Sequence, residues 1–246
     1  MSETQTRRVL VTGSSRGIGR ALALGLAQDG YELVVHCASN RAKAEKTRKL
    51  IEENDGKAAV VTGDLTDPCT AERLMAENGP LDALVLDASM QIRRPWQKIS
   101  LEEYQKQMTC NFYSSLRFIQ LAVPHMKAQK WGRIVTIGSV QERKPHPDML
   151  VYSASKAAQT NMAQSLAQQL AADGITVNNV APGVIFTDRN VEALSDPTYA
   201  AEVTASIPAG FYGEPRDCAG VVRLLLSDAA RYITGQSIYV DGGKSL

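Results

Sequence analysis

Seven short apolar runs recur along the chain: RVLVTG, YELVVHC, KAAVVTGD, LDALVLDA, RIVTIGS, ITVNNVAP and SIYVDGG. They are rich in Val, Ile and Leu and nearly continuous, whereas a strand with one wet face would alternate apolar and polar residues. The runs therefore read as strands covered on both faces. Between them lie segments of helical pattern, GIGRALALGLAQDG, NRAKAEKTRKLIEENDG, CTAERLMAENG, SLEEYQKQMTCNFYSSLRFIQLAVPHM, a stretch beginning VYSASK, and DCAGVVRLLLSDAARY. Such alternation imposes a parallel sheet between two helix layers, the doubly wound α/β architecture. No linker, repeat or low-complexity tract intervenes, so residues 1–246 are expected to form one domain with about seven parallel strands.

Local signals refine this outline. Gly30, Gly56, Gly79 and Gly174 follow helical segments and suit the left-handed turn that closes a helix. Pro124 is expected to kink or shorten the long helical stretch that contains it. Residues 188–216, DRNVEALSDPTYAAEVTASIPAGFYGEPR, break the alternation and carry Pro197, Pro208 and Pro215. Short helices in a lid-like excursion are expected there.

Charge and cysteine usage narrow the class. A net charge of +1 gives no field to attract nucleic acid or an anionic membrane, and Arg93-Arg94 is too short for a basic patch. Cys37, Cys69, Cys110 and Cys218 lack ligand-like spacing, and His36, His125 and His146 form no cluster. Neither disulfides nor a metal are expected, and a reducing cytoplasm fits best. The start, MSETQTRR, lacks the apolar core of a signal peptide, and no apolar run reaches the ~18 residues that span a bilayer.

The first run passes directly into Thr12-Gly13-Ser14-Ser15-Arg16-Gly17-Ile18-Gly19. A glycine-rich turn that ends a strand and opens a helix lets backbone approach a pyrophosphate, whose charge the free N–H groups at the helix start attract. Gly19 would let that helix pack closely on the sheet. A carboxylate ending the second strand would hold an adenine ribose and repel a 2′-phosphate. Here that strand ends His36-Cys37-Ala38-Ser39-Asn40-Arg41, with no acid. Arg16, Ser39 and Arg41 are the expected charge-assisted donors to a 2′-phosphate, so the chain is expected to take NADP(H).

Val151-Tyr152-Ser153-Ala154-Ser155-Lys156 puts a phenol and an amine one helical turn apart. Ketone reduction needs a hydride and a proton, and a free phenol, with a pKa near ~10, is a poor proton donor at neutral pH. An ammonium about 4 Å away at an effective dielectric of ~20 contributes roughly 4 kcal/mol, or about 3 pK units, part of it opposed by desolvation.

With these residues, the chain resembles the short-chain dehydrogenase/reductase family from Arg8 to Gly243. Asp64-Leu65, Asn111, Ser139, APGVIFT at 181–187, Ile233-Thr234-Gly235-Gln236 and Val240-Asp241-Gly242-Gly243 add to the match. GRIVTIGSV and ITVNNVAPGVIFTD are particularly similar to the bacterial 3-oxoacyl-[acyl-carrier-protein] reductases of fatty acid biosynthesis. The resemblance implies a Rossmann-type fold and an NADPH-dependent reductase turning a ketone into a secondary alcohol. It makes Asn111, Ser139, Tyr152 and Lys156 catalytic. Tyr152 would donate the proton, Ser139 would orient the carbonyl oxygen, and Asn111 would hold a water linking Lys156 to solvent. Cofactor contacts would come from Gly13, Ser15, Arg16, Gly17, Ile18, Gly19, Ser39, Arg41, Asp64, Leu65, Asp87 and Ala88. Tyr152, Lys156, Pro182, Gly183, Ile185 and Thr187 would complete them around the nicotinamide. A homotetramer is implied too, through the two long helices and the C-terminal strand.

Two departures bear on function. Leu86-Asp87-Ala88-Ser89 stands where the family commonly has Asn-Asn-Ala-Gly, so cofactor affinity or stability is expected to differ. Lys127, Lys130 and Arg133 are available to an acidic acyl carrier protein, yet Asp173 and Phe211 stand where those enzymes often carry arginine. A 3-oxoacyl thioester is the first substrate expectation, with a small polyol, sugar or keto compound as its rival. A non-catalytic NADP-binding regulator is a third reading.

Overall fold

All seven apolar runs form strands of one sheet in the computed structural model, which describes residues 6–188 and 190–246. The polar start, residues 1–5, and Arg189 of the excursion lie outside the described residues. The strands are β1 (Arg8–Thr12), β2 (Glu32–Cys37), β3 (Lys57–Thr62), β4 (Ala83–Leu86), β5 (Gly132–Ile137), β6 (Ile175–Pro182) and β7 (Ser237–Val240). They run in the order β3-β2-β1-β4-β5-β6-β7 with every pair parallel. Chain order reverses between β1 and β4, where Thr12 lies beside Leu86 at the carboxyl ends. That switch point is where a doubly wound sheet opens a ligand crevice.

The helices are α1 (Gly17–Gln28), α2 (Arg41–Glu52), α3 (Thr70–Asn78), α4 (Leu101–Met108), α5 (Ser114–Ala128), α6 (Leu150–Leu170), α7 (Val191–Leu194), α8 (Pro197–Ala205) and α9 (Pro215–Leu226). Val9 and Val11 pack with α1 and α9 in one apolar layer, while Leu10 packs with α3, α5 and α6 in the other. Successive side chains of a strand alternate between faces, and both faces are dry, so the strands read as unbroken apolar runs.

Two expectations are corrected. The long helical stretch is not shortened at Pro124, which lies inside α5. Pro124 removes the bond to the carbonyl of Gln120, an exposed residue, so the loss falls on the wet face of the helix. The departure from α-helical bonding comes earlier, at a π-helical turn over Thr109–Tyr113 that carries Asn111. Among the helix-ending glycines, Gly30, Gly79 and Gly174 have positive φ, but the positive φ after α2 falls on Asp55 rather than Gly56. At Gly174 a Cβ would lie 2.2 Å from the Lys130 carbonyl oxygen, so only glycine fits.

Residues 188–216 contain the short helices α7 and α8, and a bridge between Ile185 and Gly213 brings the excursion back to β6's exit. Among the described residues no helix is long and apolar enough to cross a membrane, and no group of three His, Cys, Asp or Glu side chains is placed to hold a metal ion.

Candidate active site

The carboxyl ends of the central strands open into a cleft of about 990 Å³. On its first wall the glycine loop is pinned from below. Thr12 Oγ1 accepts from Ala88 N at 3.0 Å, joining the loop to the segment after β4. A Cβ on Gly19 would stand 2.6 Å from the Gly13 oxygen and 2.7 Å from Asp87 Oδ2, so α1 approaches this closely only because residue 19 is glycine. Asp87 thus packs against Gly19 beneath the loop, and Ser89 follows it along the cleft wall. Burial, helped by Asp87 and Asp217, pushes the nearby Cys218 thiol up to about 12.

His36 holds the loop from the other side. Its Nδ1 accepts from Gly13 N at 3.0 Å, and its Nε2 donates to the Gly63 carbonyl at 2.9 Å. Ser14 Oγ donates to Val11 O at 2.7 Å and accepts from His36 N at 3.0 Å. This bonding fixes the neutral Nε2–H tautomer, and burial holds the imidazole's pKa below its usual value. In the sequence His36 figured only as a histidine without metal partners. Its place at the end of the second strand, beside the glycine loop, was the available signal.

The cations sort differently from expectation. Arg16 and Lys43 both face Asp188, at 3.5 Å and 3.6 Å, and line the cleft with Ser39. Arg41 is not among the lining residues; its guanidinium lies 3.2 Å from Glu45 on the outer side of α2. The cause is helix phase. Asn40 caps α2 by accepting from Lys43 N, so Arg41 is the first helical residue, paired with Glu45 one turn on, and Lys43 turns to the cleft. Asp64 and Leu65 line the same half of the cleft, and the acids Asp64, Asp87 and Asp188 all lie there.

Opposite, Ser139 follows β5, caps a single 3₁₀ turn over Val140–Glu142, and accepts at Oγ from Gln141 N at 3.2 Å. Tyr152 and Lys156 project from α6 into the same wall, 6 % and 1 % exposed. Lys156 Nζ lies 5.8 Å from the centre of the Tyr152 ring. It donates to the Ile137 carbonyl at 2.6 Å and to Gln159 Oε1 at 3.2 Å. From there donors run one way: Gln159 Nε2 to Ser115 Oγ at 3.0 Å, and Ser115 Oγ to the Asn111 carbonyl at 3.3 Å.

Asn111 does not line the cleft. Its amide donates to Met90 O and Ser155 Oγ, both at 2.9 Å, and its Oδ1 accepts from Met90 N at 2.7 Å. This exchange with Met90 occupies both ends of the amide at the π turn. Ser115, Ser155, Gln159 and Glu142 were missed in the sequence. The Glu142 carboxylate accepts from Thr160 at 2.8 Å, Ser237 at 2.9 Å, Tyr239 at 3.0 Å and Asn179 at 3.2 Å. It ties the turn behind Ser139 to α6, β6 and β7. Burial first, and then Glu142, hold the Tyr239 hydroxyl's pKa above its usual value.

Pro182, Gly183, Ile185 and Thr187 line the cleft below the excursion, which adds Leu194, Tyr199 and Val203. Gly183 has room for no Cβ, which would meet Asp241 Cα at 2.7 Å. The cations expected to receive a carrier protein are otherwise engaged. Lys127 and Lys130 both grip Asp173, at 3.0 Å and 2.7 Å, and buried Arg133 pairs with Asp228 at 3.1 Å. They lie around the start of β5, at the opposite edge of the sheet from Ser139.

Comparison with known proteins agrees with this geometry. A family model described as enoyl-(acyl carrier protein) reductase matches residues 13–245. Glucose 1-dehydrogenase of Gluconobacter oxydans is 36% identical over 245 residues, 98% of this chain and 92% of that protein. A 3-oxoacyl-(acyl-carrier-protein) reductase from Agrobacterium tumefaciens, crystallised with NADP bound, superposes with a TM-score of 0.91 at 36% identity, covering 96% of this chain and 93% of its own. A gluconate 5-dehydrogenase from Burkholderia cenocepacia, in complex with NADP and tartrate, gives 0.89 at 30% identity, covering 97% and 95%. On the matched family model, these relatives and the shared parallel sheet, the chain belongs to the short-chain dehydrogenase/reductase family.

Proposed function

We propose that this protein is an NADP(H)-dependent oxidoreductase that reduces a ketone to a secondary alcohol. The observation that carries the reading is the buried pair of Tyr152 and Lys156, with Nζ 5.8 Å from the ring centre, in one cleft with Ser139 and a glycine loop. The cleft fits a dinucleotide. Glycine at 13 and 19, where a Cβ would crowd Ala88 and meet the Gly13 oxygen and Asp87, lets the loop and the start of α1 pack tightly along the cleft, and no acid ends β2. Gly13, Ser15, Gly17, Ile18 and the start of α1 would hold the pyrophosphate, with Gly19 beneath them. Arg16, Ser39 and Lys43 would hold the 2′-phosphate, Lys43 taking the place expected of Arg41. Asp64 and Leu65 would meet the adenine, and Asp87 and Ala88 the ribose. Pro182, Gly183, Ile185 and Thr187 would seat the nicotinamide, which supplies the hydride when bound.

The remaining chemistry belongs to the chain. The Ser139 oxygen already accepts from Gln141 N, and among the described residues nothing accepts its own hydrogen. That hydrogen is available to a substrate carbonyl. Tyr152 gives the proton to the reduced oxygen, and the Lys156 charge stabilises the phenolate left behind. Gln159, Ser115 and Asn111 hold Lys156 in place and continue its donors away from the cleft.

For the substrate, the engagement of Lys127 and Lys130 by Asp173 favours a small polar ketone over a thioester carried on an acidic protein. The glucose- and gluconate-acting relatives support the same choice. We further propose a cytoplasmic homotetramer in which residues 188–216 close over the substrate. Exposed Tyr232 beside β7 is the surface for a C-terminal contact, and the scattered positions of Cys37, Cys69, Cys110 and Cys218 suit a reducing compartment. NADPH consumption with small ketones and sugars against acetoacetyl-carrier-protein tests the reading. The small ketones should win by at least about tenfold in kcat/KM. Failure of every carbonyl in both sets to consume NADPH would refute reductase activity.

A further inference from the structure

Ser139 can orient a carbonyl only if its hydroxyl sits at a fixed point over the cleft, yet little structure of its own holds it there. It follows β5 in extended backbone and opens a 3₁₀ turn of three residues. A single turn of that kind does not hold its own shape. Its inner bonds run from Glu142 N to Ser139 O at 3.0 Å and from Gln141 N to Ser139 Oγ at 3.2 Å. Both depend on where residues 141 and 142 are held.

What holds them is a carboxylate. Glu142 reaches back under the exit of β5, where Gly138 leaves room: a Cβ there would stand 2.5 Å from Glu142 Oε2. Oε2 accepts from Thr160 Oγ1 at 2.8 Å and from Ser139 N at 3.4 Å, closing the turn as a reciprocal capping box. Oε1 accepts from Ser237 Oγ at 2.9 Å and from the Tyr239 hydroxyl at 3.0 Å. Asn179 Nδ2 lies 3.2 Å from both oxygens, and its own Oδ1 accepts from Thr136 on β5 at 2.8 Å. All five donors are neutral. Thr160 lies one helical turn beyond Lys156 on α6, and Lys156 itself donates to Ile137 at the end of β5. The carboxylate thus fixes Ser139 against the helix that carries Tyr152 and Lys156. The Gln141 side chain adds a second tie to that helix, accepting from Ser153 Oγ at 3.0 Å. Glu142 does not line the cleft, so it touches no reacting group.

We infer that Glu142 is a positioning residue for the reduction and acts through Ser139: its carboxylate sets the direction in which the serine hydroxyl meets a substrate carbonyl. The inference rests on the carbonyl-reductase reading. Without these contacts the turn is free to shift, and a shift of about 1 Å at a reacting group costs about 10²-fold. Losing an oxyanion donor outright costs about 10²- to 10³-fold, which bounds the effect. Because Gln141 still ties the turn to α6, a fall in kcat of about 30-fold is expected.

The test is a double-mutant cycle on the full-length protein, with NADPH and whichever of acetoin, D-fructose and acetoacetyl-carrier-protein the unaltered protein reduces fastest. Glu142→Ala should lower kcat about 30-fold and leave the NADPH Kd within about threefold. In a Ser139→Ala background the same change should cost less than about threefold, because the group it positions is gone. A merely structural role would cost the same factor in both backgrounds. Glu142→Gln should keep at least about a third of kcat: its oxygen stays on Ser139 N and Thr160, and its NH₂ faces the Ser237 and Tyr239 hydroxyls, which can turn to accept. Thr160→Val removes one donor to Oε2 at nearly constant volume and should lower kcat about fivefold, only where Ser139 is present. It runs the same cycle and decides the matter if Glu142→Ala does not fold. Equal factors in the two backgrounds, or a Gln variant as impaired as the Ala variant, would overturn the inference and leave the reductase reading in place. An unaltered protein that binds NADPH but reduces none of the three carbonyl compounds would sink the reductase reading, and the inference with it.

Discussion

Replacing Lys156 by Met removes one charge beside Tyr152 while keeping most of the side-chain volume. The ammonium is 5.8 Å from the ring centre, and both side chains are shielded from bulk water. The phenolate charge lies mainly on the hydroxyl oxygen; two unit charges about 6 Å apart at an effective dielectric of about 20 interact by about 3 kcal/mol, equivalent to about 2 pK units. The sign follows from the charge. A cation favours the phenolate, so its loss makes Tyr152 harder to ionise and a weaker donor. Alcohol oxidation with NADP⁺, which needs the phenolate as base, should shift its rising limb about 2 pH units to higher pH. Ketone reduction at pH 7 should fall about 100-fold. The assay is kcat/KM for oxidation between pH 6 and 11, with NADPH binding as the check on folding. Lys156→Arg, which keeps the charge, should shift the limb by less than Lys156→Met does. A Met variant whose rate falls equally at every pH, its profile unmoved, would refute the electrostatic role and leave Lys156 a merely positional one.

Two further outcomes follow from the loop and its cations. Lys43→Gln should raise KM for NADPH about tenfold and leave KM for NADH within about twofold, whereas Arg41→Gln should change neither, as steady-state kinetics with both cofactors would show. His36 has a folded-state pKa below its unfolded value, so the unfolded chain binds more protons as pH drops below ~6.5. Its stabilisation is full above that pH and declines as pH falls toward the folded-state pKa. NADPH affinity should decline with it, because a protonated Nδ1 cannot accept from Gly13. Tm and NADPH Kd measured from pH 8 to 5 should show both effects, and His36→Asn should flatten them.

The parallel sheet was legible in the sequence because burial of both faces leaves an unbroken apolar run that few other environments demand. The glycine loop, Ser139, Tyr152 and Lys156 stand out in the sequence by their places after a strand or one helical turn apart, and the fold brings them to one cleft. Elsewhere, residues distant in sequence decide the outcome. Pro124 was the visible irregularity, yet the π-helical turn lies at Asn111, whose amide trades hydrogen bonds with Met90 from another segment. Arg41 and Lys43 look equivalent in composition, and only the phase of α2, set by the Asn40 cap, turns one out and the other in. Glu142 gathers donors from α6, β6 and β7, a meeting that no local pattern announces. Lys127 and Lys130 were counted as available charges until the fold brought Asp173 between them.

That Tyr152 supplies the proton is tested most directly by Tyr152→Phe, which deletes one hydroxyl from a buried side chain and leaves the glycine loop, Ser139 and Lys156 in place. NADPH should bind with a Kd within about threefold of the wild-type value, while ketone reduction falls about 10³-fold. A Phe variant that binds NADPH and still reduces the ketone at more than about a tenth of the wild-type rate would contradict the account.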